Sequence, residues 1–160
     1  MKHVVGMPGL VVSAAEDDVL VTYALGSCLG VTAHDPVAKV GGLLHAMLPS
    51  ASIAPERATR EPEAFVDTGV PLLIEACERL GAKRERLVVH AVGAAEPRWG
   101  TEADVFRIGE RNLESLEAVL GRFGIPVRAA DVGGTASRTV LFEVGSGKVT
   151  VKAVGGARAV

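Results

Sequence analysis

Cysteine and aromatic residues are scarce in this sequence, and no hydrophobic run approaches the length that crosses a membrane. The two cysteines, Cys28 and Cys77, are too few for a disulfide framework and do not fall at the spacing of zinc ligands. The opening residues, MKHVVGMPGL, lack the apolar segment of a secretory signal peptide. We therefore expect a cytoplasmic protein with reduced thiols and no direct insertion into a membrane.

An excess of charge of either sign is also missing. Seventeen basic and nineteen acidic side chains give a formal net charge of −2, which removes the electrostatic case for binding nucleic acid or an anionic membrane. The chain has 160 residues, 48% of them hydrophobic, and can bury a core without metal or disulfide bonds. We predict a single domain over residues 1–154 and a frayed C-terminal tail over 155–160.

Short runs of apolar, often β-branched residues, separated by turn residues, predict strands towards both ends of the chain. The predicted strands are residues 10–12, 19–25, 29–33, 40–48, 87–92, 126–132, 139–144 and 148–154. Because helices are interleaved among these strands, the sequence predicts an α+β fold in one domain.

Two segments between the strands have apolar residues at helical spacing. The first covers residues 66–80, and Pro71 within it means that the helix either begins near Thr68 or bends at the proline. The second covers residues 113–123. Polar residues and two prolines over 50–62 predict a surface loop ahead of the first helix.

Cys28 follows Gly26-Ser27 at the head of an apolar run, and four histidines are available to activate it. A free cysteine with a pKa near 8.5 is only about 3% thiolate at pH 7, so a nucleophilic cysteine needs a neighbouring base. His34 lies on the same strand but about 20 Å away. A hairpin around residues 35–38 instead pairs Cys28 with His45, at a Cβ separation of about 5 Å.

The same pair has an ordinary structural interpretation, and the spacing leaves both open. A free cysteine in an apolar strand is usually a small core residue, as Cys77 is predicted to be on its helical stripe, and a lone histidine is usually a satisfied core residue. A one-residue change of register would put Ala46 opposite Cys28. Gly26-Ser27 predicts a two-residue hairpin turn, whose backbone N–H groups could face a developing oxyanion.

The segments around these residues resemble the CheD family of bacterial chemoreceptor glutamine deamidases. Residues 22–28, TYALGSC, fit the pattern T-x-x-L-G-S-C, and residues 45–49, HAMLP, fit H-x-M-L-P. Further along, GERN at 109–112 and DVGG at 131–134 followed by Arg138 are similar to the family segments G-x-R-N and D-V-G-G-x-x-x-R.

The resemblance covers about residues 4–152 and departs from the family at residues 89–96, VHAVGAAE, where members tend to show a stretch like K-L-F-G-G-A. It implies a hydrolase that converts glutamine side chains on chemoreceptor cytoplasmic helices to glutamate without a metal or organic cofactor. In that reaction Cys28 would be the nucleophile, His45 the general base and acid, and Thr22 the residue that orients the imidazole.

The resemblance also implies the fold, a single-domain α/β sandwich with two packed β-sheets and flanking helices, similar to the cytotoxic necrotizing factor type of cysteine hydrolases. The hairpin model itself gives no reason for Thr22 to lie near His45, because a Gly26-Ser27 hairpin would pair Thr22 with Val31.

The sequence is compatible with two other functions. The family resemblance implies association with a CheC-type phosphatase, so the protein could act mainly as a binding partner, a role that would survive Cys28→Ala. A nucleotide-binding domain is suggested by glycines at 133–134 and 145–147, but neither cluster has phosphate-loop spacing. The glycines at 145–147 instead predict a hairpin, and Arg138 is predicted to be a structural ion-pair or hydrogen-bonding residue.

Overall fold

The computed structural model of the protein describes residues 1–96 and 107–160. The strands in these ranges are β1 Lys2–Val4, β2 Gly9–Ser13, β3 Val19–Leu25, β4 Leu29–Asp35, β5 Val40–Ala46, β6 Val88–Gly93, β7 Val127–Val132, β8 Arg138–Glu143, β9 Val149–Ala153 and β10 Gly156–Ala159. The α-helices in the same ranges are α1 Pro55–Arg60, α2 Val66–Arg79 and α3 Ile108–Phe123.

The described strands form two mixed sheets of five strands each. Sheet I has the order β1-β3-β8-β9-β10, and sheet II has the order β2-β5-β4-β6-β7. In each sheet one edge pair is parallel, β1 with β3 and β6 with β7, and the other pairs are antiparallel. The chain crosses between the sheets after β1, β2, β3 and β7, so each sheet is assembled from both ends of the sequence.

Two hydrophobic clusters fix the order of the layers. Phe142 of sheet I and Leu43 of sheet II belong to the cluster between the sheets. Leu73 of α2 and Leu116 of α3 belong to a second cluster, which covers the other face of sheet II. Every residue of β4 and β5 is buried, because these strands lie in the middle layer. The predicted α+β fold with two packed sheets and flanking helices is confirmed.

The helical prediction needs two corrections. The loop predicted over 50–62 is wrong, because this segment contains a short 3₁₀ turn and α1. The helix α1 begins at Pro55, and a proline is tolerated in the first turn because the N–H it lacks would have no helical partner there. Of the two alternatives for the first helix, the start near Thr68 is wrong, since α2 begins at Val66 and runs through Pro71. Burial of its apolar face against sheet II stabilises the helix across the proline.

The C-terminal residues predicted to fray form β10 instead. This strand pairs antiparallel with β9, and Arg158 on it makes an ion pair with Asp131 of sheet II. Its residues are exposed and lack the apolar alternation that identifies a strand from sequence. Pairing with β9 and the ion pair to Asp131 therefore hold β10 in place, although the composition of this segment does not predict a strand.

Candidate active site

Residues 26–28 connect sheet I to sheet II. The Gly26-Ser27 hairpin predicted between β3 and β4 is wrong, because these strands lie in different sheets. β3 pairs with β8, with an irregularity between Thr22 and Leu25 where Ala24 takes the left-handed conformation, φ 59°. This departure from regular strand geometry turns the chain out of sheet I. Cys28 therefore enters the site from a crossover between the sheets.

The β4–β5 hairpin forms, but its register differs from the predicted one. Asp35 pairs with Val40, so His45 lies opposite Gly30 and not opposite Cys28. The shift moves the partner of His45 by two residues, which preserves the face of the strand. Accordingly, Cys28 packs against the cluster between the sheets, on the side of sheet II towards which His45 points.

The side chain of Asp35 explains the register. Its Oδ1 accepts the N–H groups of Val37 at 2.9 Å and Ala38 at 3.1 Å, so the turn begins after Asp35 and not with it. The carboxylate is fully buried and forms an ion pair with Arg86 at 2.8 Å. Burial acts to raise the pKa of Asp35, but hydrogen bonds from Arg86 and the backbone outweigh burial and hold the pKa well below its usual range.

His45 is fully buried and is hydrogen-bonded across the interface to sheet I. Its Nδ1 lies 2.7 Å from Thr22 Oγ1, and the Thr22 hydroxyl donates to Val5 O at 2.9 Å. Because the single hydroxyl proton goes to Val5, Thr22 accepts the Nδ1 proton of the ring. This tautomer has its lone pair on Nε2, a buried atom without a hydrogen-bond partner among the described residues.

The structure thus places Thr22 beside His45, as the family resemblance implies, and brings Cys28 to the same interface. Within the described ranges no hydrogen bond joins the Cys28 thiol to the His45 ring. Burial raises the pKa of the half-buried Cys28 thiol, although its own backbone amide acts in the opposite direction. Burial also lowers the pKa of His45 to about 4. Both groups are therefore neutral at rest near pH 7.

The three carbonyl groups of residues 26–28 are all held by hydrogen-bond donors. The amides of Ala95 and Ala94 donate to the first and third carbonyl oxygens at 2.9 and 2.8 Å. The second, Ser27 O, accepts Asn112 Nδ2 at 2.9 Å. These bonds tie the crossover to the end of β6 and to α3, so its backbone is fixed from one side.

The amide N–H groups of the same crossover differ from one another. The N–H of Gly26 donates to Ala24 O at 3.0 Å. In the part of the chain that the structure describes, the N–H groups of Ser27 and Cys28 donate to no backbone oxygen, and that of Cys28 approaches its own sulfur. Two neighbouring amides beside a thiol are an arrangement that can bind a developing oxyanion.

Asn112 is the residue at this site to which the sequence assigned no role. It is fully buried on α3, and its Nδ2 also donates to Met47 O at 3.2 Å. The signal for it was the G-x-R-N similarity, which by itself did not say what the asparagine contacts. Its partner Ser27 is 85 residues away in the sequence, a contact that local patterns cannot predict.

The predicted ion pair of Arg138 is confirmed. Arg138 is buried and its Nε lies 3.2 Å from Asp131 Oδ1, while its Nη1 donates to Gly93 O at 3.2 Å. The glycines at 145–147 form the predicted turn between β8 and β9, with Gly147 at φ 77°. Gly133 and Gly134, at φ 83° and 66°, lie in the connection from β7 to β8, so both glycine clusters have structural explanations in strand connections.

Residues 1–96 and 107–160 contain neither a metal-type cluster of side chains nor a membrane-spanning helix. Nowhere in these ranges do three or more His, Cys, Asp or Glu side chains cluster closely enough to hold a metal ion. None of the helices described is long and apolar enough to span a bilayer.

Comparison with known proteins identifies relatives over most of the chain. A model of the family described as CheD chemotactic sensory transduction matches residues 47–153. A probable chemoreceptor glutamine deamidase CheD of Solibacter usitatus is 45% identical over 91% of this chain and 85% of its own length. The protein of the same description in Pyrococcus abyssi is 40% identical over 88% of this chain and 85% of its own length.

A solved structure shares the fold. The crystal structure of the Bacillus licheniformis hypothetical protein YfiH superposes with a TM-score of 0.50 at 13% identity, over 77% of this chain. The chain spans about half of that protein, 49% of its length. At this level of identity the likeness concerns the arrangement of sheets and helices alone.

Proposed function

The chain belongs to the CheD family, and from this premise we propose that it is a protein-glutamine deamidase that hydrolyses glutamine side chains of chemoreceptors to glutamate. The relatives are named probable chemoreceptor glutamine deamidases and cover most of the chain. The single observation that carries the chemistry is the buried His45, whose Nδ1 is held by Thr22 and whose Nε2 has no partner among the described residues.

In this proposal Cys28 is the nucleophile, His45 the general base and acid, and Thr22 the residue that orients the ring. The Thr22 hydroxyl favours the Nδ1–H tautomer, so the lone pair that accepts the thiol proton is on Nε2. Because both Cys28 and His45 are neutral at rest, the proton moves as the thiol attacks and not before. Hydrogen bonds of this kind are often long before substrate binds.

The reaction proceeds by acyl transfer to water. The Cys28 sulfur bonds to the carboxamide carbon of the glutamine side chain, and its proton passes to His45. His45 then protonates the leaving nitrogen, the C–N bond breaks, and ammonia departs from a thioester. Water attacks the thioester and gives a proton to His45, and the C–S bond breaks as His45 returns that proton to the sulfur, which releases glutamate and restores the Cys28 thiol.

Activation of the thiol supplies only part of the required acceleration. Full ionisation would raise the thiolate fraction about 30-fold, worth about 2 kcal/mol, whereas enzymes lower barriers by at least about 8 kcal/mol. The remainder must come from positioning and from stabilisation of the oxyanion. The sequence suggested the turn at Gly26 and Ser27 for this purpose. Within residues 1–96 and 107–160 the N–H groups of Ser27 and Cys28 donate to no other residue, which supports these two amides as the donors.

The test is mass spectrometry of a chemoreceptor cytoplasmic fragment incubated with wild-type protein, Cys28→Ala or Cys77→Ala. We expect wild type to convert specific glutamines to glutamate and Cys28→Ala to be at least about 1,000-fold slower. Cys77→Ala is the matched control. Its thiol is buried on α2, and burial raises its pKa to about 12, so this variant should keep activity within about twofold.

Equal rates for wild type and Cys28→Ala would reject the proposed mechanism. Inactivity of folded, reduced wild type on several receptor fragments would favour the binding role. The association with a CheC-type phosphatase and the cytoplasmic location both stay predictions. Binding that survives Cys28→Ala would separate the phosphatase partnership from catalysis.

A further inference from the structure

We propose that Asn112 is a positioning residue that sets the orientation of the Ser27–Cys28 peptide and so aims the Cys28 N–H at the oxyanion formed in the reaction. The proposal rests on the deamidation proposed above. It assigns a task to a fully buried side chain of α3 that does not itself touch the reacting atoms.

Peptide geometry gives the first step. In a trans peptide the C=O of one residue and the N–H of the next point in opposite directions within one plane. Asn112 Nδ2 donates to Ser27 O at 2.9 Å, so the N–H of Cys28 points away from α3. Among the described residues, that N–H donates to no residue other than Cys28 itself, whose own sulfur it approaches, so it lies on the side of the attacking atom. One hydrogen bond on the carbonyl side therefore fixes the direction of the donor on the other side.

The second step concerns why the amide of Asn112 is held in one orientation. Its other Nδ2 hydrogen is donated to Met47 O at 3.2 Å, two residues after His45 in the chain. A rotated amide would face Ser27 O and Met47 O with its own oxygen and lose both bonds, so the observed orientation is the one with donors inward. Asn112 thus links the segment that contains the nucleophile to the end of the strand that contains His45.

The free-energy cost of burying the Asn112 amide also bears on its role. Asn112 Oδ1 is buried and has no partner among the described residues. A buried oxygen without a partner costs free energy, which the two bonds donated to Ser27 O and Met47 O offset. The two donated bonds are what the asparagine contributes.

The backbone of α3 supports the same crossover. A Cβ at Gly109, one turn before Asn112, would lie 2.5 Å from Ala95 O and 2.6 Å from Ala94 O. The helix therefore rests directly on the two residues whose amides hold Gly26 O and Cys28 O. Through Asn112 and this close contact, α3 stabilises all three carbonyl groups of the crossover.

The experiment measures deamidation kinetics for Asn112→Ala and Asn112→Asp beside the matched control Ser115→Ala. The Ser115 hydroxyl, on the same helix, donates to Pro49 O at 2.7 Å and does not contact the crossover. We expect both Asn112 variants to lose about 100-fold in kcat with little change in KM, the loss expected for an oxyanion donor. Ser115→Ala should keep kcat within about threefold of wild type.

Alkylation of Cys28 by iodoacetamide separates positioning from general damage. Alkylation displaces iodide at a saturated carbon and forms no oxyanion, so the Asn112 variants should react within about threefold of the wild-type rate. Asn112→Asp preserves the shape of the side chain but places acceptors opposite both carbonyls, and it tests the proposal if Asn112→Ala does not fold. Circular dichroism establishes which variants are folded.

Three results would overturn the proposal: a kcat for the Asn112 variants close to that of Ser115→Ala, a loss of alkylation in step with kcat, or unfolding of both variants. The last would assign Asn112 a role in stability. If wild type is active and the Asn112 variants are equally active, only this inference fails. If wild type is inactive, the proposed function fails and this inference falls with it.

Discussion

At the scale of single residues, the tautomer of the His45 ring depends on the Thr22 hydroxyl, which can donate only one hydrogen bond. Thr22 donates it to Val5 O and is left as an acceptor for Nδ1 of the ring. The same ring has a pKa lowered by burial to about 4, so it stays neutral through the physiological range. A neutral imidazole of fixed tautomer is the form that a general base requires.

Replacing Thr22 by valine keeps the shape of the side chain and removes this acceptor. We expect Thr22→Val to lower kcat about 100-fold or more, because the tautomer is no longer fixed. It should also lower the free energy of unfolding by about 1–3 kcal/mol, since Val5 O and Nδ1 lose a buried partner. Thr22→Ser, which keeps the hydroxyl, should stay within about fivefold of wild type. Deamidation kinetics and ¹⁵N NMR of the ring are the measurements, and equal kcat for the two variants would contradict the assignment.

At the scale of elements, α3 shows two glycines with opposite surroundings. Gly109 lies against the backbone oxygens of Ala94 and Ala95, whereas a Cβ at Gly121 would meet no atom within 4 Å. The first glycine is required by the close approach of the helix to the end of β6. The second only weakens the helix through its conformational freedom.

This difference predicts opposite effects of one substitution. Gly109→Ala should lower the free energy of unfolding by about 1–3 kcal/mol, because the methyl group overlaps backbone that cannot move aside. It should also slow deamidation, since the displaced segment holds the crossover. Gly121→Ala should raise the free energy of unfolding by about 0.5–1 kcal/mol and leave the rate unchanged. Urea unfolding measures the two changes in the free energy of unfolding. A Gly109→Ala variant more stable than wild type would contradict the close packing of α3.

The strands and helices themselves were largely predictable from the sequence, whereas the pairing of the strands was not. β3 and β8 are identified by runs of apolar β-branched residues, but nothing local says that they pair across more than a hundred residues. For the same reason the nomination of Cys28 and His45 relied on a hairpin whose register proved different, because the Asp35 carboxylate moved the turn. The contact of Thr22 with His45 joins two sheets and cannot arise from any hairpin model.

At the scale of the whole molecule, the candidate site draws on every layer. Thr22 belongs to sheet I, His45 to sheet II and Asn112 to the helical layer. The Thr22–His45 hydrogen bond crosses the interface that Leu43 and Phe142 fill. The stability of the molecule and the state of His45 are therefore coupled.

This coupling predicts an acid-dependent loss of stability. The His45 pKa is about 4 in the folded protein, against a reference value of 6.5. Between pH 6.5 and 4 the unfolded chain takes up a proton that the folded protein does not, so unfolding becomes more favourable as the pH falls. We expect the free energy of unfolding, measured by urea unfolding, to fall by about 2–3 kcal/mol between pH 7 and pH 4.5.

The control is His45→Asn, which removes the titrating ring. The pKa values of His34 and His90 are also lowered by burial and contribute in the same direction in both proteins. The pH dependence should therefore be smaller in the variant than in wild type by the contribution of His45. Identical pH dependence in the two proteins would show that His45 takes up its proton equally well when folded.

The crossover from β3 to β4 has a consequence for newly made protein. Among the described strands, the antiparallel partner of β3 is β8, which ends at Glu143, so this part of sheet I forms only after nearly the whole chain has been synthesised. Thr22, His45 and Cys28 are all translated within the first third of the sequence, yet the ring is held only when both sheets are docked. A nascent or truncated chain therefore lacks the Thr22–His45 hydrogen bond, and under the proposed function we expect such a chain to be inactive on glutamine.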